Sequence, residues 1–167
     1  MNYADARVHI NTGDLLAWSH YDWDSWYDLQ VQAVRIGTAS EYCHVGLAWV
    51  FAGRVWVIES VAPVVRVVPL SNLLEQGFYW LPIPPNMSGS ELEFAFSKVG
   101  KGRYSKVQAV AAQLNLLDVG ADDLWECAEF VIAARRLSGV DLGPKATPSA
   151  VVKRAQELGS ACHFINP

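Results

Sequence analysis

The first half of the chain alternates short apolar runs with turn residues, a pattern typical of β-strands. Ala52-Gly53 lies between the second run and the third, and two apolar runs joined by so short a link predict a hairpin. The turn at 12–14 precedes the apolar part of the first run. The five runs are INTGDLLAW (10–18), HVGLAWVF (44–51), RVWVIESV (54–61), VVRVVPL (64–70) and GFYWLPI (77–83).

The second half has apolar residues at helical spacing, framed by residues that cap helices. The third of these segments begins with acids and ends with arginines, as the helix dipole favours. The fourth has Thr147 as its expected N-cap and Pro148 at the first helical position. The four predicted helices are SGSELEFAFSKVG (88–100), YSKVQAVAAQLNLL (104–117), DDLWECAEFVIAARRLSG (122–139) and TPSAVVKRAQELG (147–159).

The order of these elements predicts one α+β domain over residues 1–167, with a sheet from the N-terminal half packed against helices from the C-terminal half. The stretch 19–38 is ambiguous and would fit a short helix between the first two strands. Hydrophobic residues make up 51% of the chain and charged residues 18%, which is typical of a packed globular domain.

Charge and apolar run length limit the function classes. The net charge of -4 argues against broad nucleic-acid binding, which needs a basic face. No apolar stretch reaches the ~18 residues of a transmembrane segment. The N-terminus, MNYADARVHINTGD, does not resemble a secretory signal, and three cysteines do not form a disulfide framework. We therefore expect a cytoplasmic protein; a virion-associated or lysis-released protein would look the same, and the oligomeric state stays open.

Cys127 lies near the start of the third predicted helix, which makes it a candidate nucleophile. The free amides and partial positive charge of a helix N-terminus favour a thiolate and can hold a developing oxyanion. Asp122, Asp123 and Glu126 partly oppose this effect. The alternative is that Cys127 is a small buried packing residue, which is the usual environment of a free cysteine.

His44 and Glu59 form a second candidate pair. Glu59 interrupts an apolar strand, where a carboxylate is costly unless it is paired. A tight turn at 51–52 would place His44 directly opposite Glu59 on the neighbouring strand. The glutamate would then accept from one ring nitrogen and leave the other to act as a base. A structural histidine and a solvent-facing strand acid are the respective alternatives.

Cys43 precedes His44, yet neighbours on a strand point to opposite faces. We therefore predict that Cys43 packs away from the site. Cys162-His163 together with Cys43-His44 invites a zinc interpretation, but no CxxC or HxxxH spacing is present, so we expect no metal.

The order of motifs resembles the circularly permuted branch of the NlpC-type cell-wall peptidases, which have a papain-like fold. In the ordinary branch the cysteine helix precedes the strands; in the permuted branch it follows them, as here. The resemblance extends over about residues 10–150. Its motifs are Thr12-Gly13-Asp14-Leu15-Leu16, Cys43-His44-Val45-Gly46, Val57-Ile58-Glu59-Ser60, Val67-Val68-Pro69-Leu70, Gly102-Arg103-Tyr104, Glu126-Cys127-Ala128-Glu129-Phe130 and Thr147-Pro148-Ser149.

The resemblance implies Cys127 as nucleophile, His44 as general base and Glu59 as the residue that orients the base. It also implies a place for Tyr104 near the oxyanion or the substrate, with a packing role as the alternative. Two positions depart from the family pattern: Cys43 replaces a common serine, and Cys127-Ala128-Glu129-Phe130 replaces Cys-Ser-Glu-Leu. Neither departure removes a catalytic group.

The implied activity is acyl transfer to a thiolate, with cleavage of an amide bond in cell-wall (peptidoglycan) peptides and no cofactor. Two rivals remain: a lipid acyltransferase or thioesterase similar to the lecithin:retinol acyltransferase relatives, and a catalytically idle binding or virion structural module. Aromatic residues after the first strand would line the cleft and bind peptide, glycan or lipid, or else cap the core. They are Trp18, His20, Tyr21, Trp23, Trp26 and Tyr27.

Overall fold

The computed structural model of the chain describes residues 1–19, 41–61, 64–75, 77–101 and 125–167. Within these residues six strands form one antiparallel sheet with the order β4-β3-β2-β1-β5-β6. The strands are β1 (Leu15–Trp18), β2 (His44–Phe51), β3 (Arg54–Val61), β4 (Val64–Pro69), β5 (Phe78–Leu81) and β6 (His163–Ile165).

The hairpin predicted from the sequence is present. Strands β2 and β3 have the predicted bounds and are joined by Ala52 and Gly53. Both turn residues have positive φ, 50° and 71°, as the two-residue turn that matches the twist of a hairpin requires. The apolar pattern and the glycine therefore locate this turn correctly.

Four α-helices lie in the described residues, together with a short 3-10 helix at Leu70–Leu73. The N-cap prediction for the last helix is confirmed: Thr147 Oγ1 accepts from the amide of Ala150 at 3.3 Å, and Pro148 is the first helical residue. The predicted helix at 104–117 and the ambiguous residues 20–38 lie outside the described residues. The helices are α1 (Tyr3–Ala6), α2 (Ser90–Lys98), α3 (Cys127–Arg136) and α4 (Pro148–Glu157).

The predicted start of the third helix is wrong at residues 125 and 126. Helix α3 begins at Cys127, and Glu126 is its extended N-cap, with φ -82° and ψ 158°. The side chains of Glu126 and Glu129 each accept a hydrogen bond from the backbone amide of the other residue, which forms a capping box. This capping box sets the N-terminus of the helix at Cys127. Glu126 therefore acts as the N-cap of α3 and not as a residue of its first turn.

Three short elements were not predicted from the sequence: α1, β6 and the 3-10 helix at Leu70–Leu73. Helix α1 is a single turn, and β6 is a three-residue strand that pairs with β5 after the helices. None of the three is long enough for a periodic pattern. The fold is α+β as expected, but the strands do not all precede the helices.

The pleat of the sheet separates two apolar clusters. Leu15, Leu47 and Ile58 pack with residues of α2, α3 and α4 on one face. The alternate residues Leu16 and Ala48 pack with α1 and the 3-10 helix on the other. Helix α3 is thereby held against the centre of the sheet. Among the described residues, no helix is both long enough and apolar enough to cross a membrane.

Candidate functional site

His44 and Glu59 are in hydrogen-bond contact between strands β2 and β3. His44 Nε2 lies 2.7 Å from Glu59 Oε2. The side chain of Glu59 is 2% exposed and that of His44 is 23% exposed. The predicted meeting of these two side chains is confirmed, and the histidine keeps some access to solvent.

The predicted register, in contrast, is wrong by two residues. Strand β2 pairs Phe51 with Arg54 and Leu47 with Ile58, so His44 is not directly opposite Glu59. The direct pairing assumed a turn at residues 51 and 52, whereas the turn consists of Ala52 and Gly53, the residues that link the two apolar runs. Because the side-chain period of a strand is two, this shift keeps every side chain on its face, and Glu59 reaches His44 diagonally.

Gly46 makes the diagonal contact possible. A Cβ atom at this position would lie 3.2 Å from Glu59 Cβ and 2.9 Å from Val57 Cγ1. The latter distance is shorter than side-chain atoms tolerate. The missing side chain therefore leaves the space beside Glu59 through which its carboxylate extends towards His44.

Arg66 holds the other oxygen of the same carboxylate. It pairs with Glu59 in the β3–β4 ladder, and its Nε and Nη2 lie 2.8 Å and 2.7 Å from Glu59 Oε1. Burial raises the pKa of Glu59, but hydrogen bonds and charge attraction from His44 and Arg66 outweigh burial and lower the pKa overall. Glu59 is therefore an ionised carboxylate with a cationic or proton-bearing partner on each oxygen.

Cys127 is the first residue of α3 and is 9% exposed. A residue at this position has a backbone amide without a partner inside the helix, as do the next residues of the first turn. These amides point towards the helix N-terminus, where a negative charge is stabilised. The helix start at Cys127, later than predicted, places the thiol directly at this end.

His44 links Glu59 to Cys127. Burial lowers the pKa of His44, but hydrogen bonds to the side chains of Cys127 and Glu59 and the attraction of both groups outweigh it, and together they raise the pKa to about 10. Since Nε2 is engaged by Glu59, Nδ1 is the ring nitrogen left for the thiol. The imidazole of His44 therefore contacts Glu59 by a hydrogen bond and is coupled electrostatically to Cys127.

Ser60 fixes the chain just before the cysteine. Its hydroxyl donates to the backbone carbonyl of Trp125 at 2.5 Å, and it is 2% exposed. Consecutive residues of β3 thus serve two purposes: Glu59 contacts His44, while Ser60 anchors the segment that leads into α3.

Trp18 is the one member of the predicted aromatic group that lies in the described residues. It pairs with His44 in the β1–β2 ladder, and the two ring centroids are 5.5 Å apart with an interplanar angle of 37°. The remaining predicted substrate contacts, His20, Trp23 and Tyr104, lie outside the described residues, as do Tyr21, Trp26 and Tyr27.

The other two cysteines have different neighbours. The Cys43 thiol donates to the carbonyl of Trp18 at 3.3 Å. Cys162 Sγ lies 3.8 Å from the hydroxyl of Tyr42, and the ring of His163 lies 5.2 Å from that of Trp80. In the ranges that the structure describes, no group of three or more His, Cys, Asp or Glu residues is arranged to hold a metal ion.

The roles of Arg66 and Ser60 were not predicted from the sequence. Arg66 interrupts the apolar run VVRVVPL in the same way as Glu59 interrupts its own run. Two opposite charges inside neighbouring apolar strands are a signal for a cross-strand pair, and aligning β3 with β4 would have found it. Ser60 carries no comparable signal, because its partner is a backbone carbonyl distant in sequence.

Comparisons with known proteins support the fold. No family model matches the chain, and no curated protein does. Among the solved structures that match is one described as metalloprotein yiiX from Escherichia coli O157:H7, DUF1105. The two chains are 20% identical, the match covers 81% of this chain and 70% of the other, and the TM-score is 0.59. At this identity the likeness shows a shared α+β fold and leaves the chemistry of the site to be tested.

Proposed function

We propose that this protein is a cysteine hydrolase with a circularly permuted, papain-like architecture that cleaves amide bonds in cell-wall peptides. The observation that carries the proposal is the 2.7 Å contact of His44 with buried Glu59, together with the position of Cys127 at the N-terminus of α3, where its thiol influences the same imidazole. A thiol, an imidazole and an orienting carboxylate are the groups that a nucleophilic acyl transfer requires. The order of motifs along the chain supports the same assignment.

In the proposed acylation, the Cys127 thiol gives its proton to His44, which leaves a thiolate and an imidazolium. The thiolate attacks the carbonyl carbon of the amide, and the carbonyl oxygen becomes an oxyanion. Amides of the first turn of α3 stabilise this charge. The C–N bond then breaks, the imidazolium gives its proton to the leaving amine, and a thioester on Cys127 remains.

Deacylation returns the enzyme to its starting state. His44, now neutral, takes a proton from water as the water oxygen attacks the thioester carbonyl. The C–S bond breaks, the carboxylic acid product leaves, and the thiolate of Cys127 faces a protonated His44 again. Glu59 stabilises the imidazolium in each half of the cycle and holds the ring orientation through Nε2.

Selective alkylation of the nucleophile is the first test. Iodoacetamide at neutral pH, followed by mass spectrometry of the peptides, should label Cys127 faster than Cys43 or Cys162. His44→Ala should remove this preference, because the Cys127 thiol loses the base that accepts its proton. Faster labelling of either of the other two cysteines would contradict the assignment of the nucleophile.

The substrate class needs a separate assay. Purified peptidoglycan peptides and p-nitrophenyl acyl esters should be offered to the wild type and to the Cys127→Ala variant. We expect cleavage of the peptides that depends on Cys127; turnover of the esters alone would favour a lipid acyltransferase or thioesterase. Because one of the matching solved structures is described as a metalloprotein, each assay is also run with EDTA. The chemistry proposed above uses protein groups alone and should survive EDTA.

A further inference from the structure

The two oxygens of Glu59 have different partners, and only one of these partners belongs to the proposed catalytic chain. Oε2 accepts from His44 at 2.7 Å, while Oε1 receives both Nε and Nη2 of Arg66 at 2.8 Å and 2.7 Å. The glutamate is buried, whereas the arginine side chain is 44% exposed. A surface arginine therefore extends inward to a carboxylate that the mechanism uses.

We propose that Arg66 is a positioning residue, which by holding Glu59 Oε1 with two donors directs Oε2 at the imidazole of His44. This inference rests on the proposed function, because it assigns Arg66 a role in the same catalytic chain. It concerns a residue that touches neither the thiol nor the ring.

The rigidity of the guanidinium supports this role. The terminal torsion of a glutamate is broad, so one hydrogen bond to His44 leaves the carboxylate plane free to turn. Two N–H groups of one planar guanidinium fix the position of Oε1 and so limit that rotation. Arg66 is also the direct cross-strand partner of Glu59, and the backbone ladder therefore sets the distance between them.

Charge balance during turnover gives Arg66 a second use. In the proposed cycle His44 loses its positive charge whenever it protonates the leaving amine. Without another cation, Glu59 would then be a buried carboxylate with a neutral partner, a costly state that favours proton uptake. Arg66 stays charged throughout and keeps Glu59 ionised while His44 alternates between its two forms.

A double-mutant cycle tests the coupling. The rate of Cys127 alkylation at pH 7 is measured for the wild type, Arg66→Ala, Glu59→Gln and the double variant. We expect Arg66→Ala to slow alkylation about tenfold in the wild-type background and less than about twofold in the Glu59→Gln background. Equal losses in both backgrounds, or no loss in either, would overturn the proposal.

Matched variants separate geometry from charge. Arg66→Lys keeps the charge but provides a point donor in place of the planar fork, so it should recover less than half of the lost rate; full recovery would mean that charge alone matters. Arg154→Ala removes another partly exposed arginine, which pairs with Glu157 at 3.2 Å on α4, and should leave the rate unchanged. If Arg66→Ala does not fold, Arg66→Lys still tests the geometry.

NMR titration of the His44 ring tests the proposal without turnover. If Arg66→Ala only removed a positive charge near the ring, His44 would keep its proton to higher pH. If the variant instead left Glu59 badly positioned, His44 would release its proton at lower pH. We expect the second result for Arg66→Ala, and an unchanged or higher midpoint would overturn the inference. If wild-type Cys127 is not selectively alkylated, the proposed function fails, while this titration still tests the link from Arg66 to His44.

Discussion

Asp14 and Glu59 are both almost fully buried carboxylates, yet they have different kinds of partner. Asp14 accepts from Trp80 Nε1 at 2.8 Å and from the backbone amides of Asn11 and Ile83 at 2.8 Å and 3.0 Å. None of these three donors changes protonation near neutral pH. Asp14 therefore joins the turn before β1 to the chain around β5, and its hydrogen bonds serve the architecture.

Arg135 strengthens the same region from helix α3. It is fully buried, and its Nη2 donates to the carbonyls of Ile83 and Pro85 at 2.9 Å and 2.8 Å. A Cβ at Gly13 would lie 2.5 Å from its Nη1, so the glycine before Asp14 makes room for the guanidinium. Most of these contacts have a backbone group at one end, which ties the two buried side chains to the fold.

Glu59 instead contacts side chains that carry or exchange protons. The pKa of His44 depends on both Glu59 and Cys127, and the pKa of Glu59 depends on His44 and Arg66. The difference teaches that burial of a carboxylate does not by itself mark a functional site. The nature of the donors separates a carboxylate that supports the fold from one that can take part in chemistry.

Replacing the proposed nucleophile should have the largest effect. Cys127→Ala is expected to reduce hydrolysis at least ~1,000-fold, because no other group forms the acyl intermediate. Its melting temperature should stay close to that of the wild type, since a small buried side chain replaces another. Turnover of peptidoglycan peptides and a thermal melt provide the two measurements. Cys162→Ala is the control and should keep its activity. If Cys127→Ala were as active as this control, Cys127 would not be the nucleophile.

Asp14→Ala should instead affect stability. Three donors, one of them a buried indole N–H, lose their acceptor, and we expect the free energy of unfolding to fall by about 3 kcal/mol. Urea denaturation measures this change. Alkylation of Cys127 in the folded fraction should stay within about threefold of wild type, as expected for an architectural role. Asp5→Ala, at an exposed acid, is the control; a much slower alkylation in Asp14→Ala would mean that the two carboxylates are not separable.

Glu59→Gln should reduce activity more than stability, the reverse of Asp14→Ala. The neutral amide does not stabilise an imidazolium, so hydrolysis should fall about 30-fold, which corresponds to about 2 kcal/mol in activation free energy. Stability should fall by less than for Asp14→Ala, because glutamine keeps an acceptor for Arg66. Steady-state kinetics and urea denaturation on the same preparation compare the two losses. If Glu59→Gln were less stable than Asp14→Ala but fully active, Glu59 would be a structural residue and not a catalytic one.

Glu126, a third buried carboxylate, should have the smallest effect on the protein, and its effect on stability should depend on pH. Glu126 is 8% exposed, and among the described residues its Oε1 has no hydrogen-bond partner. Burial, and secondarily the charge of Glu129, raises the pKa of Glu126 to about 7. The folded chain therefore binds this proton more tightly than the unfolded chain, so this contribution to stability is present below about pH 4.5 and is lost as the pH rises through about 7.

Glu126→Gln imitates the protonated acid and should remove this dependence. We expect the variant to be more stable than the wild type by about 1–3 kcal/mol at pH 8 and nearly equal to it at pH 4. Urea denaturation at both pH values, compared as variant minus wild type, cancels the opposite contribution of Glu59. An equal difference at pH 4 and pH 8 would show that Glu126 is an ordinary cap.

Much of the fold could be predicted from local patterns. The runs 44–51 and 54–61 became β2 and β3 because alternating apolar residues and a short turn with glycine specify a hairpin. Helix α4 followed from Thr147 and Pro148, since capping depends on residues next to one another. The start of α3 was misplaced because the acids from Asp122 onward all fit the beginning of a helix. The hydrogen bond from Ser60 to the carbonyl of Trp125 cannot be seen in the local sequence.

The sequence by itself determined the candidate groups, namely a cysteine beside a helix start and two polar residues in apolar strands. Only the tertiary structure decided their distances. The two-residue error in register left His44 and Glu59 in contact because side-chain direction repeats every second residue. The meeting of Cys127 with His44, and of Arg66 with Glu59, depends on how α3 and β4 pack against β3, and such long-range packing follows from the whole core rather than from any single segment.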